Sequence, residues 1–394
     1  MRHRAFPVLI AILLVLAALP AALVPVRAQE GTPVAAPTAS TLSANVTVFA
    51  TGLDNPRGLK FGPDGLLYVA EGGTGGTIST EGQCEQVVPP VGPYTGGLTA
   101  RISTIDAQGQ RTTLIDGLPS DQTSPQLGNL VAGVADIAFI DGTLYYLMAA
   151  AGCSHGHPDV PNGIFRLDPD GKATLAADLS AFVKANPVAL PNPGDFEPDE
   201  GAYSLAVLNG ELYVAESNHG ALDRVSPDGT VTRIIDFSKD EGHIVPTSIA
   251  VGADGNFYIG NLTPLPYANG GAAIRNVTPD GTSSIYADGL TTVLGVAFDP
   301  EGRLYALETS TDNPEAPPFF HPDSGRVVRL TDSGAWETVA TGLSFPTAMT
   351  FGADGTLYVS NFGFGYPPGA GQIVTIDVTM PLPATPAVMA TPVA

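Results

Sequence analysis

One polar or sulfur-containing residue ends each copy of a phrase that recurs along this sequence. The phrase is written FGPDGLLYVAE at 61–71 and FGADGTLYVSN at 351–361, with weaker copies between them. The residues that end the copies are Glu71, Met148, Glu216, Asn261, Glu308 and Asn361. Carboxylate and carboxamide oxygens are the ligands that Ca²⁺ and Mg²⁺ prefer. A repeat that brings these residues to one opening therefore predicts a Ca²⁺ or Mg²⁺ site, with Glu71, Glu216 and Glu308 as metal ligands.

The same residues have a second interpretation. Together with Arg57 they are candidate binding residues, namely Arg57, Glu71, Glu216, Asn261, Glu308 and Asn361. The alternative is a purely structural ring, in which each side chain hydrogen-bonds within its own repeat and Glu71 pairs with Arg57. The sequence leaves both open.

Histidine supplies the other candidate chemistry. His219 in ESNHG and His243 in DEGHIVP each have a carboxylate nearby in sequence, and an imidazole can act as a general base near neutral pH. We therefore predict these two as catalytic, the alternative being exposed loop histidines without a role. His155 and His157 in SHGHPD form a His-x-His pair that can bind a transition metal. No GxSxG, P-loop, dinucleotide-binding or HExxH motif occurs, so common hydrolase, nucleotide-binding and zinc-protease functions lack support.

The repeat itself predicts the elements that position these residues. Each copy joins two apolar runs through an Asp-Gly type turn, a strong hairpin signal because Gly accepts the positive φ that the turn needs. A second hairpin follows, as in NGIFRLDPDGKATLAADL. Four strands per repeat, at spacings of about 45 residues or more, are typical of propeller blades. We predict an all-β, six-bladed β-propeller of four-stranded antiparallel blades over residues 45–378.

The last repeat lacks a fourth strand, and the start of the chain supplies one. After GQIVTIDV the sequence runs into a Pro/Ala/Thr-rich tail, whereas VTVFATGL at 46–53 resembles the fourth strand ETVATGL at 337–343. The N-terminal strand is therefore predicted to complete the last blade. Such closure removes exposed sheet edges.

The two ends of the sequence differ in composition from the repeats. Residues 1–28 combine an arginine-containing start, a long apolar run and a small-residue site at Ala28, which predicts a cleaved secretory signal. An uncleaved membrane anchor is the alternative. Residues 29–44 are predicted to be an Ala/Pro/Thr-rich linker and residues 379–394 a disordered tail. The expected location is secreted or extracytoplasmic.

Charge limits the class of partner. The chain has 17 Lys and Arg against 39 Asp and Glu, a net charge of −22. Such a protein repels nucleic acid and anionic lipid, so the expected ligands are metal cations, neutral molecules or basic proteins. Solubility alone is the other explanation of the charge. A monomer is expected.

Strand order also sorts the loops between two faces. Because the strands alternate in direction, the short turns within hairpins lie on one face, and the connections between hairpins lie on the other. The long connections are 72–100, 119–131, 149–162, 180–200, 262–272 and 309–325. Long loops in a compact fold usually carry function. We call this side the long-loop face and predict that it binds the ligand.

The two cysteines lie on the long-loop face. Cys84 and Cys153 fall in equivalent loops of the first and second repeats. In an exported protein two thiols usually form a bridge, which predicts a Cys84–Cys153 disulfide. The alternative is two unpaired thiols whose loops never meet.

The run LDNPRGLKFGPDGLLYVAEGGTGG, with its units recurring after an export signal, resembles the ScyD/ScyE family of exported propeller proteins. The resemblance covers about residues 45–378 and is most specific in the first and last repeats. It implies a propeller fold and an extracytoplasmic setting, and it carries over no catalytic residue. NHL-type and SMP-30/gluconolactonase propellers are more distantly similar. The predicted function is binding of a small molecule or partner on the long-loop face; the alternative is a metal-assisted hydrolase or lyase of the SMP-30 kind on the same face.

Overall fold

The computed structural model describes residues 42–380 and residue 382. The predicted signal peptide lies outside the described residues, as do most of the predicted linker and most of the tail. None of the helices within the described part of the chain has the length and hydrophobicity to cross a bilayer.

The strands form six antiparallel sheets arranged as blades. Blade 1 contains β2 (Pro56–Phe61), β3 (Leu67–Glu71), β4 (Thr95–Ile105), β5 (Arg111–Gln122) and the short β6 (Val131–Ala132). Blade 2 contains β7 (Val134–Ile140), β8 (Thr143–Met148), β9 (Gly163–Leu167) and β10 (Ala173–Asp178). Blade 3 contains β11 (Ala202–Leu208), β12 (Glu211–Glu216), β13 (Ala221–Val225) and β14 (Val231–Asp236).

The second half of the chain builds the other three blades. Blade 4 contains β15 (Pro246–Val251), β16 (Phe257–Asn261), β17 (Ala272–Val277) and β18 (Ser283–Leu290). Blade 5 contains β19 (Val293–Phe298), β20 (Leu304–Glu308), β21 (Gly325–Leu330) and β22 (Trp336–Leu343). Blade 6 contains β23 (Ala348–Phe351), β24 (Leu357–Asn361), β25 (Gly371–Ile376) and β1 (Val46–Leu53). The predicted six-bladed propeller is confirmed.

Between residues 42 and 380, only short helices interrupt the strands. They are the α-helix α1 (Leu179–Ala185), which follows β10, and 3₁₀ turns at Cys153–His155 and Phe237–Lys239. The Asp178 side chain caps α1 by accepting a hydrogen bond from the Ala181 amide at 2.8 Å. This helix was not predicted; it occupies part of the long connection between blades 2 and 3.

The repeated phrase is the inner hairpin of each blade. In its first copy Gly65 has φ +80°, a conformation that suits glycine, and the Gly62 amide donates to the Leu66 carbonyl at 2.9 Å. The recurring tyrosine has a local role as well. The Tyr68 hydroxyl contacts the Asp64 carboxylate of its own turn at 3.0 Å, and Tyr258 repeats the contact with Asp254 at 3.2 Å.

The N-terminal strand closes the ring. Strand β1 pairs antiparallel with β25, from Val46 opposite Ile376 to Leu53 opposite Gly371, so the predicted closure is confirmed. The Asn45 amide adds to it by donating to the Val339 carbonyl of blade 5 at 2.9 Å. The first and the last strand of the described residues thus share one sheet.

Closure depends on apolar packing. Leu53 is fully buried in a cluster with Leu59 of blade 1 and Ile373 of blade 6. The substitution Leu53→Ala is expected to lower the free energy of unfolding by about 3 kcal/mol, because it removes buried methyl groups and leaves a cavity. Urea denaturation followed by tryptophan fluorescence measures this. The control is Val48→Ala on the same strand, where the side chain is 43% exposed and the change is expected to be small.

Candidate functional site

A cavity of about 230 Å³ opens at the centre of the ring on the long-loop face. Its lining includes the starts of the inner strands of blades 1 to 4, at Arg57, Ala135, Tyr203 and Thr247. Loops from the same face complete the wall. We call it the axial cavity.

Four polar side chains form a connected group in this cavity. The Tyr94 hydroxyl donates to Glu197 Oε1 at 2.6 Å, and Glu197 Oε2 lies 3.8 Å from His155 Nε2. The other ring nitrogen of His155, Nδ1, hydrogen-bonds to the Asp121 carboxylate. Tyr94, Asp121, His155 and Glu197 are all buried. An imidazole oriented by one carboxylate, beside a second carboxyl group, is an arrangement suited to proton transfer.

Four separate segments bring these residues together. Tyr94 ends the long insertion of blade 1, Asp121 lies near the end of β5, His155 is in a 3₁₀ turn, and Glu197 precedes β11. The insertion reaches the 3₁₀ turn through the Cys84–Cys153 disulfide, whose Cα atoms are 6.3 Å apart. The predicted disulfide is therefore present, and it joins the segments that carry Tyr94 and His155.

Burial shifts the proton affinities of this group. Desolvation raises the pKa of Glu197 to about 7, against the opposing influences of the His155 charge and the Tyr94 hydrogen bond. Burial by itself lowers the pKa of His155, but the neighbouring Asp121 carboxylate reverses this and the pKa is raised. Burial, followed by the charge of Glu197, also raises the pKa of Tyr94 well above its usual value. At neutral pH Tyr94 is thus a donor, and Glu197 exchanges a proton readily.

A further buried acid, Glu200, follows Glu197 in the same loop. Glu200 is fully buried and has φ +80°, an uncommon conformation for a residue with a side chain. Neither carboxyl oxygen has a hydrogen-bond partner among the described residues. Burial, followed by the charges of Glu216 and Glu197, raises the pKa of Glu200 well above its usual value. Burial therefore favours the protonated, neutral form of the Glu200 carboxyl group.

The residues that end the repeated phrase do not meet at the axis. Each is buried, and the five polar ones are bonded within their own blade. Glu71 forms ion pairs with Arg101 at 2.7 Å and Arg111 at 3.1 Å. Glu308 pairs with Arg326, and the Asn261 amide oxygen accepts from Arg275 at 2.9 Å.

Most of these side chains also hold the incoming loop of their blade. The amide of Asp54 donates to Glu71 at 2.6 Å, that of Thr291 to Glu308 at 2.7 Å, and that of Ser344 to Asn361 at 2.8 Å. The residues thus point away from the axis, towards their own blades. The expected pair of Glu71 with Arg57 is wrong, because the outer strands supply two nearer guanidinium groups. The structural interpretation of the ring accounts for the contacts.

A shared metal does not fit these residues. Within residues 42–380, no group of three or more His, Cys, Asp or Glu side chains is arranged to hold a metal ion. Glu71 and Glu308 form ion pairs with arginines, whereas Glu216 accepts a hydrogen bond from the His219 amide at 3.0 Å and lies 3.2 Å from the His219 ring. The structure does not bring Glu71, Glu216 and Glu308 together as ligands of one Ca²⁺ or Mg²⁺ ion, because each carboxylate contacts groups of its own blade.

The two predicted catalytic histidines lie on opposite sides of one loop. His243 Nε2 contacts Asp195 at 2.6 Å, and Asp195 lines the axial cavity. His219 lines a different, larger cavity, and its Nδ1 lies 3.2 Å from Glu216. Burial by itself lowers the pKa of His219, but the Glu216 carboxylate outweighs this and the pKa is raised. Neither histidine belongs to the group around Glu197.

Arg57 and the His-x-His pair complete the predicted residues. Arg57 lines the axial cavity, donates to the Val131 carbonyl and lies over the Phe364 ring at 5.5 Å. Of the pair in SHGHPD, only His155 lines this cavity. The His157 ring contacts the Ser120 carbonyl at 3.2 Å.

Sequence reasoning missed Tyr94, Asp121 and Glu197. A signal that could have identified Glu197 is the acidic run DFEPDE at 195–200, which lies in a long connection of the long-loop face. Tyr94 and Asp121 carried no such signal, since each contacts its partner across more than 30 positions of sequence.

Solved structures of known proteins share this fold. A Thermus thermophilus protein described as an oxidoreductase of the glucose dehydrogenase type is 17% identical, with a TM-score of 0.51 over 84% of this chain and 99% of that chain. Virginiamycin B lyase from Staphylococcus aureus is 17% identical over 81% and 82%, with a TM-score of 0.45. A gluconolactonase from Xanthomonas campestris is 13% identical over 84% and 97%, with a TM-score of 0.46.

Because these sequence identities are low, the structural similarity shows the fold alone. No family model and no curated protein matches the chain. The solved neighbours include six-bladed propellers of the SMP-30/gluconolactonase and streptogramin lyase kinds. Membership of the ScyD/ScyE family stays a prediction.

Proposed function

We propose that this protein is an exported propeller of ScyD/ScyE type that binds a small organic molecule in the axial cavity and acts on it by general acid–base catalysis. The observation that carries the proposal is the Glu197 carboxyl group, which lies in the cavity between the Tyr94 hydroxyl and the His155 ring. A carboxyl with a pKa of about 7 accepts a proton as the carboxylate and returns it as the acid at neutral pH.

The neighbours of Glu197 have separate tasks in this proposal. The Tyr94 hydroxyl holds Oε1 in place, which leaves Oε2 for the substrate proton. His155, oriented by Asp121, lies near Oε2, and its protonated form stabilises the ionised carboxylate. The Arg57 guanidinium lies at the cavity wall and supplies positive charge for an oxygen that becomes negative during reaction.

Size and charge indicate the substrate class. At about 230 Å³ the axial cavity is below the usual range of about 300–1,000 Å³ for drug-sized ligands, so it suits a small molecule. Asp121, Asp195 and Glu197 line it and repel an anion. A neutral carbonyl compound, such as an ester or lactone, suits this wall because Arg57 polarises the carbonyl oxygen. No step in this proposal passes through a metal ion.

The setting outside the cytoplasm is part of the proposal. It is supported by the resemblance, by the apolar start of the sequence and by the Cys84–Cys153 bond, since disulfides persist in oxidising environments. The acidic charge argues against nucleic acid as a partner.

Titration of Glu197 tests the proton-transfer role. In protein labelled with ¹³C at glutamate side chains, the resonance that disappears in Glu197→Gln is expected to titrate near pH 7. In Tyr94→Phe its pKa is expected to rise further, because the hydrogen bond that favours the carboxylate is lost. A Glu197 resonance that titrates near the ordinary value of 4.5 would remove the basis of the proposal.

A further inference from the structure

A second cavity, of about 580 Å³, lies beside the axial cavity on the long-loop face. We call it the lateral cavity. Helix α1 with the loop after it forms one wall, blade 3 forms another, and the Cys84–Cys153 disulfide lies at its edge. Its volume is within the range of about 300–1,000 Å³ that is typical of small-molecule sites.

One loop separates the two cavities. Along 195–198 the residues alternate, so that Asp195 and Glu197 line the axial cavity while Phe196 and Pro198 line the lateral one. The backbone between them is the shared wall. A ligand in the lateral cavity therefore contacts different side chains from a ligand beside Glu197.

The lateral cavity has a mostly apolar wall. Val183, Val188, Phe196 and Pro198 line it together with the disulfide. Val183 and Val188 are each only 5% exposed, so their side chains point inward from α1 and the loop that follows. Such a surface favours the apolar part of a ligand.

The polar groups of the lateral cavity include three basic ones. His219, Lys184 and Arg233 line it in a chain with only 17 Lys and Arg against 39 Asp and Glu. Each has an acidic partner: Glu216 for His219, Asp199 for Lys184 at 2.5 Å, and Asp223 for Arg233 at 3.0 Å. Glu85 is the remaining acid of the lining.

The basic groups keep hydrogen-bond donors beyond these partners. The Lys184 ammonium has three N–H groups and one ion-pair partner at 2.5 Å. The His219 ring is 6% exposed; its Nδ1 lies 3.2 Å from Glu216 Oε1 but has no hydrogen-bond partner among the described residues. Phe196, which also lines the cavity, packs against the His219 ring with centroids 5.2 Å apart and so restricts the orientation of the ring.

From this geometry we infer that the lateral cavity is a second binding site, for an aromatic or alkyl monocarboxylate. The apolar body of the ligand packs against Val183, Val188 and Phe196. Its carboxylate accepts hydrogen bonds from His219 Nε2 and from the Lys184 ammonium at the rim. Charge-assisted hydrogen bonds beside an apolar wall orient a monocarboxylate ligand and increase its affinity. The site is independent of the chemistry proposed for Glu197.

Calorimetric titration with 1-naphthoate tests the inference, with the neutral analogue 1-naphthalenemethanol beside it. One naphthoate per chain is expected to bind, at least tenfold more tightly than the alcohol. His219→Gln is expected to weaken the binding of naphthoate at least tenfold and to leave the affinity for the alcohol unchanged. Val183→Trp, which fills the cavity, is expected to abolish binding of both.

Two controls separate this site from folding defects and from the axial cavity. Pro187→Trp fills the same cavity from an exposed position of its wall, so it tests the site even if Val183→Trp does not fold. Leu130→Trp obstructs the axial cavity and is expected to leave naphthoate binding unchanged. Naphthoate affinity that survives filling of the lateral cavity, equal affinity for the alcohol, or no binding of either probe would each overturn the inference.

Discussion

Replacement of Glu197 by glutamine is expected to lower kcat for hydrolysis of a small ester or lactone, assayed with p-nitrophenyl acetate and δ-valerolactone, by about 10²–10⁴-fold. Glutamine keeps the size of the side chain and still accepts the hydrogen bond from Tyr94, so the cavity keeps its shape. It cannot take up a proton. In the unmodified protein the rate is expected to rise with pH through about 7, as Glu197 ionises.

The same substitution is expected to stabilise the fold. The pKa of Glu197 is about 7 in the folded protein against 4.5 for an ordinary glutamate. A carboxyl whose folded pKa is raised contributes most stability below pH 4.5, and that contribution is lost as the pH rises through about 7. At pH 8 the buried carboxylate therefore costs on the order of 3 kcal/mol, which Glu197→Gln recovers.

Thermal unfolding at pH 4.5 and pH 8 measures this effect. The difference in Tm between Glu197→Gln and the unmodified protein is expected to be largest at pH 8 and small at pH 4.5. The matched control is Glu81→Gln, an exposed glutamate for which neither the rate nor the Tm is expected to change. Equal Tm values for Glu197→Gln and the unmodified protein at pH 8 would contradict the raised pKa, and an unchanged rate would contradict the catalytic role.

Removal of the disulfide is the second change with a large expected effect. Cys84 and Cys153 are 69 positions apart in sequence, and closing a loop of that length restricts the unfolded chain by about 4 kcal/mol on the entropic account. The double substitution Cys84→Ser and Cys153→Ser is expected to lower the free energy of unfolding by about that amount. Guanidinium denaturation of both proteins measures it.

The disulfide is also expected to hold the site together. It joins the insertion that carries Tyr94 to the 3₁₀ turn that carries His155, so its loss is expected to speed hydrogen exchange in both segments more than in blade 5. A reducing agent should reproduce the loss of stability in the unmodified protein and leave the double-serine protein unchanged. A double-serine protein that unfolds at the same guanidinium concentration as the unmodified one would show that the bridge is not stabilising.

The sequence alone was sufficient for the architecture. Asp-Gly turns between alternating apolar runs specify hairpins locally, and their repetition specifies blades. The similarity of 46–53 to 337–343 predicted the partner of the first strand, which does pair with β25. Loop lengths identified the long-loop face, and the loops assigned to Cys84 and Cys153 made their bridge predictable.

The sequence pattern did not predict the direction of the side chains that end the second strand of each blade. Glu71 lies opposite Arg101 in the register of β3 with β4, and Arg111 reaches it from the next strand. Ion pairs with these two groups, one and two strands away, satisfy the carboxylate inside the blade, so it is not available to an ion at the axis. The identity of the nearest cation depends on strand register, which the phrase LYVAE does not contain.

Only the tertiary structure decided which acidic side chains line the axial cavity. The run DFEPDE contains four carboxylates of similar type, yet the alternation of side chains turns Glu197 into the axial cavity and Phe196 into the lateral one. The proton affinity of Glu197 follows from desolvation and from Tyr94, which is 103 positions away in sequence. Short-range patterns set turns and strands because these depend on neighbouring residues, whereas burial and pKa depend on groups that only the closed ring brings within a few ångströms.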